Sequence, residues 1–300
     1  MVEKWEGRHM HILEVLQCIR SDLATNVEIS QMRSAEDDSP YDVWKIHSGQ
    51  GDFVLKKAKG YELAVYKAFF NRQIPGVPRF LGSVSVGEDA YFLMEYIAGE
   101  DLRICTRQSL KVALDALIQV QAIYWENEAL AGEGYGFEAS LPGRNNRRNY
   151  LKDPLLEAFY DMFLEQYARM PRTLCHDDLL PFNILVADGK ATIIDWEYGG
   201  ILPYPVSLAR LIAHCEDREG AFFYMTDADR MFAIDYYYEN LIRQKGISYA
   251  DYRYALDLCL LYEYCEWIML GNRYPQADME RYRIYLEKAK NHIAKMKDSA

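Results

Sequence analysis

Two β-rich runs joined by Asp188-Gly189, within the segment 175–197, limit the possible fold of this chain more than any other feature of its sequence. Asp-Gly between such runs is a strong signal for a two-residue β-hairpin turn. When the residues that flank this turn are paired, the register brings Asn183 close to Asp195. We therefore expect an amide and a carboxylate side by side at the open end of a hairpin.

The loop ahead of this hairpin contains His176 and Asp178. Phosphoryl transfer requires metal ions that bridge the phosphates and a carboxylate that orients the attacking hydroxyl. Oxygen atoms such as those of Asn183 and Asp195 are the ligands that Mg²⁺ prefers, while Asp178 would accept the hydroxyl proton and His176 would brace the loop. The spacing His-x-Asp-x-x-x-x-Asn, followed by an Asp on a strand, matches the catalytic loop and metal-binding Asp of kinases. The alternative is an acidic loop with a chance hairpin.

The composition excludes several classes of protein. The 300 residues suffice for one large domain or two smaller ones. The formal net charge of -11 argues against nucleic-acid binding, which requires Lys and Arg to replace counterions, and it is compatible with a cationic substrate. The six cysteines form no CxxC pair, and no signal peptide or membrane-spanning run is recognisable. We therefore expect a reduced, cytoplasmic protein that binds neither nucleic acid nor a membrane.

Hydrophobic periodicity divides the chain into a part rich in strands and a part rich in helices. Residues 1–97 are predicted to form a nucleotide-binding lobe with a small antiparallel sheet, and residues 98–300 a larger helical lobe for catalysis and acceptor binding. The expected strands are Tyr41–Ile46, Asp52–Lys56, Phe80–Val86 and Ala90–Tyr96. The expected helices include His11–Ile19, Glu62–Phe70, Leu110–Trp125 and Leu155–Tyr167. The fold class is therefore α+β.

Local capping signals locate two of the later helices. Thr226 is predicted to begin a helical segment that Gly246 ends, and Ser248 with Asp251 forms a capping-box pattern ahead of the next helix. We expect Gly271 to end that second helix.

A kinase also needs residues that hold the nucleotide, and the first hundred residues contain candidates. Lys56 ends a predicted strand, and Glu62 begins the following helix, so the two could form the ion pair that kinases place at the phosphates. Glu95 and Ile97 lie at the predicted lobe junction, where backbone groups could contact the adenine ring. The alternatives are that Lys56 is a solvated lysine, that Glu62 is at the helix start because the helix dipole favours it, and that Glu95 and Ile97 are an ordinary strand end. The short spacing between Lys56 and Glu62 leaves their pairing open.

These motifs resemble those of the aminoglycoside phosphotransferase and choline kinase family, in His176–Asn183, Ile193–Tyr198 and Phe53–Lys56. The resemblance implies a protein-kinase-like two-lobed fold, Mg²⁺ with ATP or GTP, and phosphorylation of a small-molecule hydroxyl beneath a helical lid. The string that contains Glu197 is similar to that of choline-kinase-like members, and we include Glu197 among the candidate acceptor-binding residues. The chain departs from the family where members often carry an Asp on the next helix, because Val206–Ala209 contains none.

Three residues of an apolar helical segment, Ala255–Leu270, suggest the nature of the acceptor. Glu263, Glu266 and Trp267 lie on one face of this helix. Their carboxylates could pair with ammonium groups, and the indole could offer a π-face to a cation, so we expect a cationic acceptor of the aminoglycoside or amino-alcohol type. The alternative is that both glutamates face water or form internal salt bridges with arginines, for which the candidates are Arg243, Arg253 and Arg273.

Other functions remain open at this point. A kinase for a neutral hydroxyl compound of the sugar or macrolide type has the same catalytic residues, and so does a nucleotide-binding pseudokinase with a regulatory role. A protein kinase is disfavoured because Trp196-Glu197 replaces Phe-Gly and no Ala-Pro-Glu motif occurs. A histidine-rich metal hydrolase is disfavoured because only His176 lies near the cluster. The choice of ATP or GTP and the oligomeric state are not determined by these patterns.

Overall fold

A five-stranded antiparallel sheet forms the scaffold of the N-terminal part of the chain. The computed structural model describes residues 2–33 and 38–298, with side chains from residue 11 onward. The strands are β1 (Glu28–Arg33), β2 (Pro40–Ser48), β3 (Gly51–Lys57), β4 (Phe80–Val86) and β5 (Asp89–Glu95). Their order in the sheet is β1-β2-β3-β5-β4. Strand β1, which has little apolar alternation and is largely exposed, is the one strand of this sheet that we did not predict.

Two helices, α1 (Val2–Ile19) and α2 (Glu62–Phe69), cover the two faces of this sheet. Successive side chains of a strand point to opposite faces. Phe53 and Leu55 of β3 accordingly belong to the hydrophobic cluster that contains α1, whereas Val54 belongs to the cluster that contains α2. Lys56 follows on the same face as Val54 and is therefore directed towards α2.

The C-terminal part is mostly helical and carries two small sheets. Its helices are α3 (Arg107–Tyr124), α4 (Phe137–Arg148), α5 (Pro154–Arg169), α6 (Val206–Ala213), α7 (Asp227–Tyr237), α8 (Tyr249–Arg273) and α9 (Met279–Asp298). Its strands are β6 (Glu100–Asp101), β7 (Arg172–His176), β8 (Ile184–Ala187), β9 (Lys190–Ile193) and β10 (Gly199–Pro203). Strands β8 and β9 form a hairpin that β6 extends, and β7 pairs with β10.

An antiparallel sheet followed by a helical part confirms the predicted α+β fold class. The lobe boundary between residues 97 and 98 stays a prediction. Among the residues that the structure describes, no helix combines the length and the apolar character needed to cross a bilayer.

The predicted helix signals are correct at one end of α8 and wrong at the other. The side chain of Ser248 accepts a hydrogen bond from the backbone of Asp251, as expected for a helix start. Gly246 has a φ of +77°, which allows it to end the preceding helical segment. Gly271, however, does not end α8, which continues to Arg273. A β-carbon at Gly271 would collide with the ring of Tyr282 in α9, so this glycine permits two helices to approach each other.

Candidate active site

The β8–β9 hairpin has the register that the sequence predicts. Ala187 lies opposite Lys190, and the backbone N–H of Ile194 donates to the carbonyl oxygen of Asn183 at 2.9 Å. Asp195 follows directly and has a φ of +61°, a left-handed conformation that turns the chain away from β9. The hairpin therefore brings the side chains of Asn183 and Asp195 to one end.

His176 ends β7 and connects the loop that follows to this hairpin. Its Nε2 donates to the carbonyl oxygen of Ile194 at 3.0 Å, and its Nδ1 accepts the backbone N–H of Asp178 at 3.2 Å. Burial lowers the pKa of His176, although the carbonyl of Ile194 and the carboxylates of Asp178 and Asp195 oppose this shift, and the lowered pKa favours the neutral ring that this bonding pattern requires. The backbone N–H of His176 donates to the hydroxyl of Ser207 at 2.8 Å. The ring thus fixes the position of the loop.

The two neighbouring aspartates of this loop have different partners. Asp178 accepts hydrogen bonds on Oδ1 from Nε and Nη2 of Arg210, at 3.1 and 2.8 Å. Asp177 accepts a hydrogen bond of 2.6 Å from Arg144, whose side chain is only 1% exposed. Burial raises the pKa of Asp177, and the guanidinium of Arg144 opposes this rise. Asp177 therefore has a structural ion pair, whereas Asp178 keeps Oδ2 for other contacts.

Lys56 lies between two carboxylates. Its Nζ is 2.7 Å from Oε2 of Glu62 and 2.6 Å from Oδ1 of Asp195, so the pairing with Glu62 that the sequence left open is formed. Glu62 is fully buried, and neither of its oxygens accepts a hydrogen bond of good geometry. Burial raises the pKa of Glu62 to about 7, although Lys56 opposes the rise. Burial likewise disfavours the charge of Asp195, but Lys56 outweighs this effect and lowers the pKa of Asp195.

A cavity of about 200 Å³ brings together residues from the sheet and from the hairpin. Its walls are mostly apolar. It is lined by the nucleotide-binding candidates Lys56, Glu95 and Ile97, and also by Asn183 and Asp195. Oε1 of Glu95 is held by the backbone N–H of Arg79 at 2.8 Å. A mostly apolar lining with a few charged groups is typical of sites that bind small molecules.

The donor set of Asn183 and Asp195 fits a hard divalent cation. The amide Nδ2 of Asn183 donates to the carbonyl oxygen of Asp178 at 2.8 Å, and this leaves the amide oxygen as the free ligand atom. Lys56 contacts Oδ1 of Asp195, and Oδ2 remains for a metal. Carboxylate and amide oxygens are the ligands that Mg²⁺ prefers.

A second cavity, of about 390 Å³, borders Asp178, and we refer to it as the acceptor cavity because the candidate acceptor-binding residues Glu263 and Glu266 line it. The catalytic loop, α4, α6 and α8 contribute to its walls. Besides Asp178, it is lined by Tyr135, Gly143, Arg144, Asn146, Arg147, Asp177, Tyr198, Arg210, Tyr262, Glu263, Glu266, Met269 and Arg273. The candidate base thus has an open space beside it for a small molecule.

Glu263 and Glu266 line this cavity, but both are paired inside the protein. Nη1 of Arg210 lies 2.8 Å from Oε2 of Glu263 and 2.6 Å from Oε2 of Glu266. The internal salt bridges that we considered are therefore present, although with a different arginine. Arg243 pairs with Glu239 and Arg253 pairs with Asp257, both on their own helical segments.

Glu197 and Trp267 have other surroundings, and their role in binding the acceptor stays a prediction. Glu197 is not part of the lining of the acceptor cavity, because its side chain packs against Gly60 in the loop after β3. Trp267 lines a separate cavity of about 450 Å³. Arg281 covers one face of its ring at 4.6 Å, and the stacking partner of the ring is Tyr285 of α9.

Sequence reasoning missed Arg210 and Ser207, which hold the catalytic loop from α6. Ser207 supplies the hydroxyl that accepts the backbone N–H of His176. Arg210 is the single charged residue of α6. A lone charge in an apolar helix requires a partner when it is buried, and this was the signal that could have identified Arg210.

Comparisons with known proteins identify the family and the fold of this chain. Residues 33–236 match the sequence model of the phosphotransferase enzyme family. No curated protein matches the sequence significantly. The described fold is similar to that of choline kinase from Cryptosporidium parvum Iowa II, with a TM-score of 0.61 and 15% identity over 96% of this chain and 97% of that chain.

Two further solved structures are similar to the chain at comparable levels. An aminoglycoside phosphotransferase from Alicyclobacillus acidocaldarius has a TM-score of 0.59 and 14% identity, over 90% of this chain and 92% of that chain. Amicoumacin kinase hAmiN, in complex with AMP-PNP, Ca²⁺ and Ami, has a TM-score of 0.56 and 13% identity, over 89% of this chain and 88% of that chain. At these identities the structural comparisons establish a shared fold.

Proposed function

Because the chain belongs to the phosphotransferase enzyme family, we propose that it transfers the γ-phosphate of ATP or GTP to a hydroxyl of a small molecule, with Mg²⁺. One observation carries this proposal. Lys56, Asn183 and Asp195 line one cavity, and Asp178 lines the next. A nucleotide in the first cavity and an alcohol in the second would meet at the loop between them.

The first cavity has suitable groups for both ends of a nucleotide. Its apolar walls at Val54 and Met94 would hold the base, and the backbone beside Glu95 and Ile97 would contact the base edge. The ammonium of Lys56, which is fixed by Glu62, would bind the phosphates. Amicoumacin kinase hAmiN, whose fold is similar, was solved in complex with AMP-PNP, which supports a nucleotide as the phosphate donor.

The free oxygens of Asn183 and Asp195 would hold Mg²⁺, which would neutralise charge on the phosphates when bound. Asp178 would orient the acceptor hydroxyl and accept its proton on Oδ2, because Arg210 already occupies Oδ1. His176 would act as a positioning residue, since it connects the backbone of Asp178 to the strand that leads to Asp195.

The proposal for the acceptor is confined to an alcohol that fits the acceptor cavity. The expectation of a cationic acceptor was based on Glu263 and Glu266, and Arg210 already binds one oxygen of each. A cationic and a neutral acceptor therefore both stay predictions. A cytoplasmic location also stays a prediction. The cysteines of the described chain form no disulfide bond, as expected of a protein in a reducing compartment.

A coupled assay for ADP or GDP formation with Mg²⁺ would test the proposal against aminoglycosides, amino alcohols, sugars, macrolides and hydroxy acids. We expect turnover that depends on both Mg²⁺ and an alcohol, and that is lost in Asp178→Ala. Tight nucleotide binding without turnover on any alcohol would favour the pseudokinase alternative.

A further inference from the structure

The two ends of the acceptor cavity differ in charge. Near the catalytic loop, a single guanidinium, that of Arg210, lies among three carboxylates, which belong to Asp178, Glu263 and Glu266. Arg144 and Asp177 form a pair of their own. Two further arginines of the lining, Arg147 and Arg273, remain at the end formed by α4 and the last turn of α8. Four arginines and four carboxylates line the cavity in all, but at this end two guanidinium groups lie near one carboxylate, that of Glu266, which is 3.8 Å from Arg147.

Arg147 is held in place without a carboxylate at hydrogen-bonding distance. Its guanidinium lies 4.2 Å from the ring centre of Tyr262, and Nη1 donates to the carbonyl oxygen of Tyr262 at 3.0 Å. The nearest carboxylate oxygen, Oε1 of Glu266, is 3.8 Å from Nη2. The side chain of Arg147 is only 13% exposed. Arg147 therefore shares the carboxylate of Glu266 with Arg210, which binds the other oxygen at the shorter distance of 2.6 Å.

Arg273 lies at the end of α8 and is exposed to the same cavity. Its guanidinium is near the rings of Tyr150 and Tyr274, at 5.2 and 5.1 Å. Among the side chains that the structure describes, at 11–33 and 38–298, the ion pairs include none for Arg273. The aromatic contacts leave the donors of this fork available to a ligand.

We propose that the acceptor carries an anionic group, a carboxylate or a phosphate, which binds Arg147 and Arg273 while its hydroxyl faces Asp178. The contact between the hydroxyl and Asp178 rests on the proposed kinase function, whereas the binding of an anion by Arg147 and Arg273 does not. Guanidinium groups bind carboxylate and phosphate through paired N–H donors. Such an anion would complete the charge balance of Arg147 and would orient the acceptor along the cavity. The acceptor could carry an ammonium group as well, which would lie near the carboxylates at the Asp178 end of the cavity.

Calorimetry can test the anion site without knowledge of the acceptor. We would titrate sulfate and acetate, as probes for phosphate and carboxylate, into protein whose nucleotide site is filled with Mg²⁺ and AMP-PNP. We expect at least one of the two anions, the one that matches the true group, to bind wild type. Its affinity for the double variant Arg147→Gln, Arg273→Gln should be lower by about tenfold or more, which is the scale of a lost charge-assisted contact. AMP-PNP affinity verifies that the variant is folded.

The matched control is Arg148→Gln. Arg148 is next to Arg147 in α4, but it pairs with Glu157 and Asp161 on the surface, so anion affinity should be unchanged. Failure of both anions to bind wild type, or equal affinity in wild type and the double variant, would overturn the inference. If wild type does not bind AMP-PNP, the proposed kinase function is refuted, but the measured anion affinities still test the anion site.

Kinetics with the acceptor found by screening provide the second test. The double variant should raise KM for an anion-bearing acceptor by about tenfold or more, with the KM for the nucleotide unchanged. A screen in which only alcohols without an anionic group are phosphorylated would contradict the inference.

Discussion

Removal of the guanidinium of Arg210 should destabilise the protein by an amount that the structure allows us to estimate. The side chain of Glu263 is 3% exposed, and burial alone would raise its pKa. Arg210, with support from His214, instead lowers this pKa from 4.5 to about 2. That shift corresponds to about 3 kcal/mol, within the range for breaking a buried ion pair from one side. We therefore expect Arg210→Met to lower the free energy of unfolding by about 3 kcal/mol at pH 7.

The pH dependence of this loss has a defined sign. The pKa of Glu263 is lower in the folded protein than in the unfolded chain, so its stabilising contribution is present above pH 4.5 and is lost as the pH falls towards about 2. The difference in unfolding free energy between wild type and Arg210→Met should therefore shrink when the solution is acidified.

Urea denaturation followed by tryptophan fluorescence would measure both effects. The control Arg243→Met removes an exposed pair with Glu239 and should cost less than about 1 kcal/mol. Addition of Glu263→Gln to Arg210→Met should recover part of the loss, because the unpaired buried charge is then absent. An Arg210→Met variant as stable as Arg243→Met would refute the reasoning.

Three further predictions concern the reaction. Asp178→Ala should lower kcat by about 100-fold or more with nucleotide affinity unchanged in calorimetry; full turnover would remove its role as base. Asp195→Ala should lose Mg²⁺-dependent nucleotide binding, and equal affinity would show that the metal assignment is wrong. Burial raises the pKa of Glu62 to about 7, so protonation should break its pair with Lys56, and kcat/KM should decrease as the pH falls through about 7. Glu62→Gln should lack this pH limb, and a wild-type profile in that variant would contradict the explanation.

The parts of the site that local sequence determines could be predicted. The Asp188-Gly189 turn sets the hairpin register, and this register alone brings Asn183 to Asp195. Lys56 is recognisable because it ends an early predicted strand, where kinases place a phosphate-binding lysine. Each of these inferences depends on a turn or on a position in a strand, and neither requires knowledge of how distant elements pack.

The parts that depend on helix packing could not be predicted. The α6 helix brings Arg210 to two glutamates of α8 from far along the chain, and no local pattern records that contact. Trp267 has the expected spacing from Glu263, but α9 packs against this part of α8 and places Tyr285 on the indole. The sequence predicts a helix end at Gly271, but glycine also occurs where two helices approach closely, and only the position of Tyr282 distinguishes the two uses.

Direct detection of phosphate transfer tests the central claim. Wild-type protein would be incubated with Mg²⁺, ATP or GTP labelled in the γ-phosphate and the alcohol panel, and the products would be separated and identified by mass spectrometry. We predict that the label appears in a phosphate monoester of one alcohol, in equal amount to the nucleoside diphosphate formed, and that no labelled ester forms with Asp195→Ala. Nucleotide that is bound by wild type while every alcohol remains unlabelled would contradict the assignment of this chain as a small-molecule kinase.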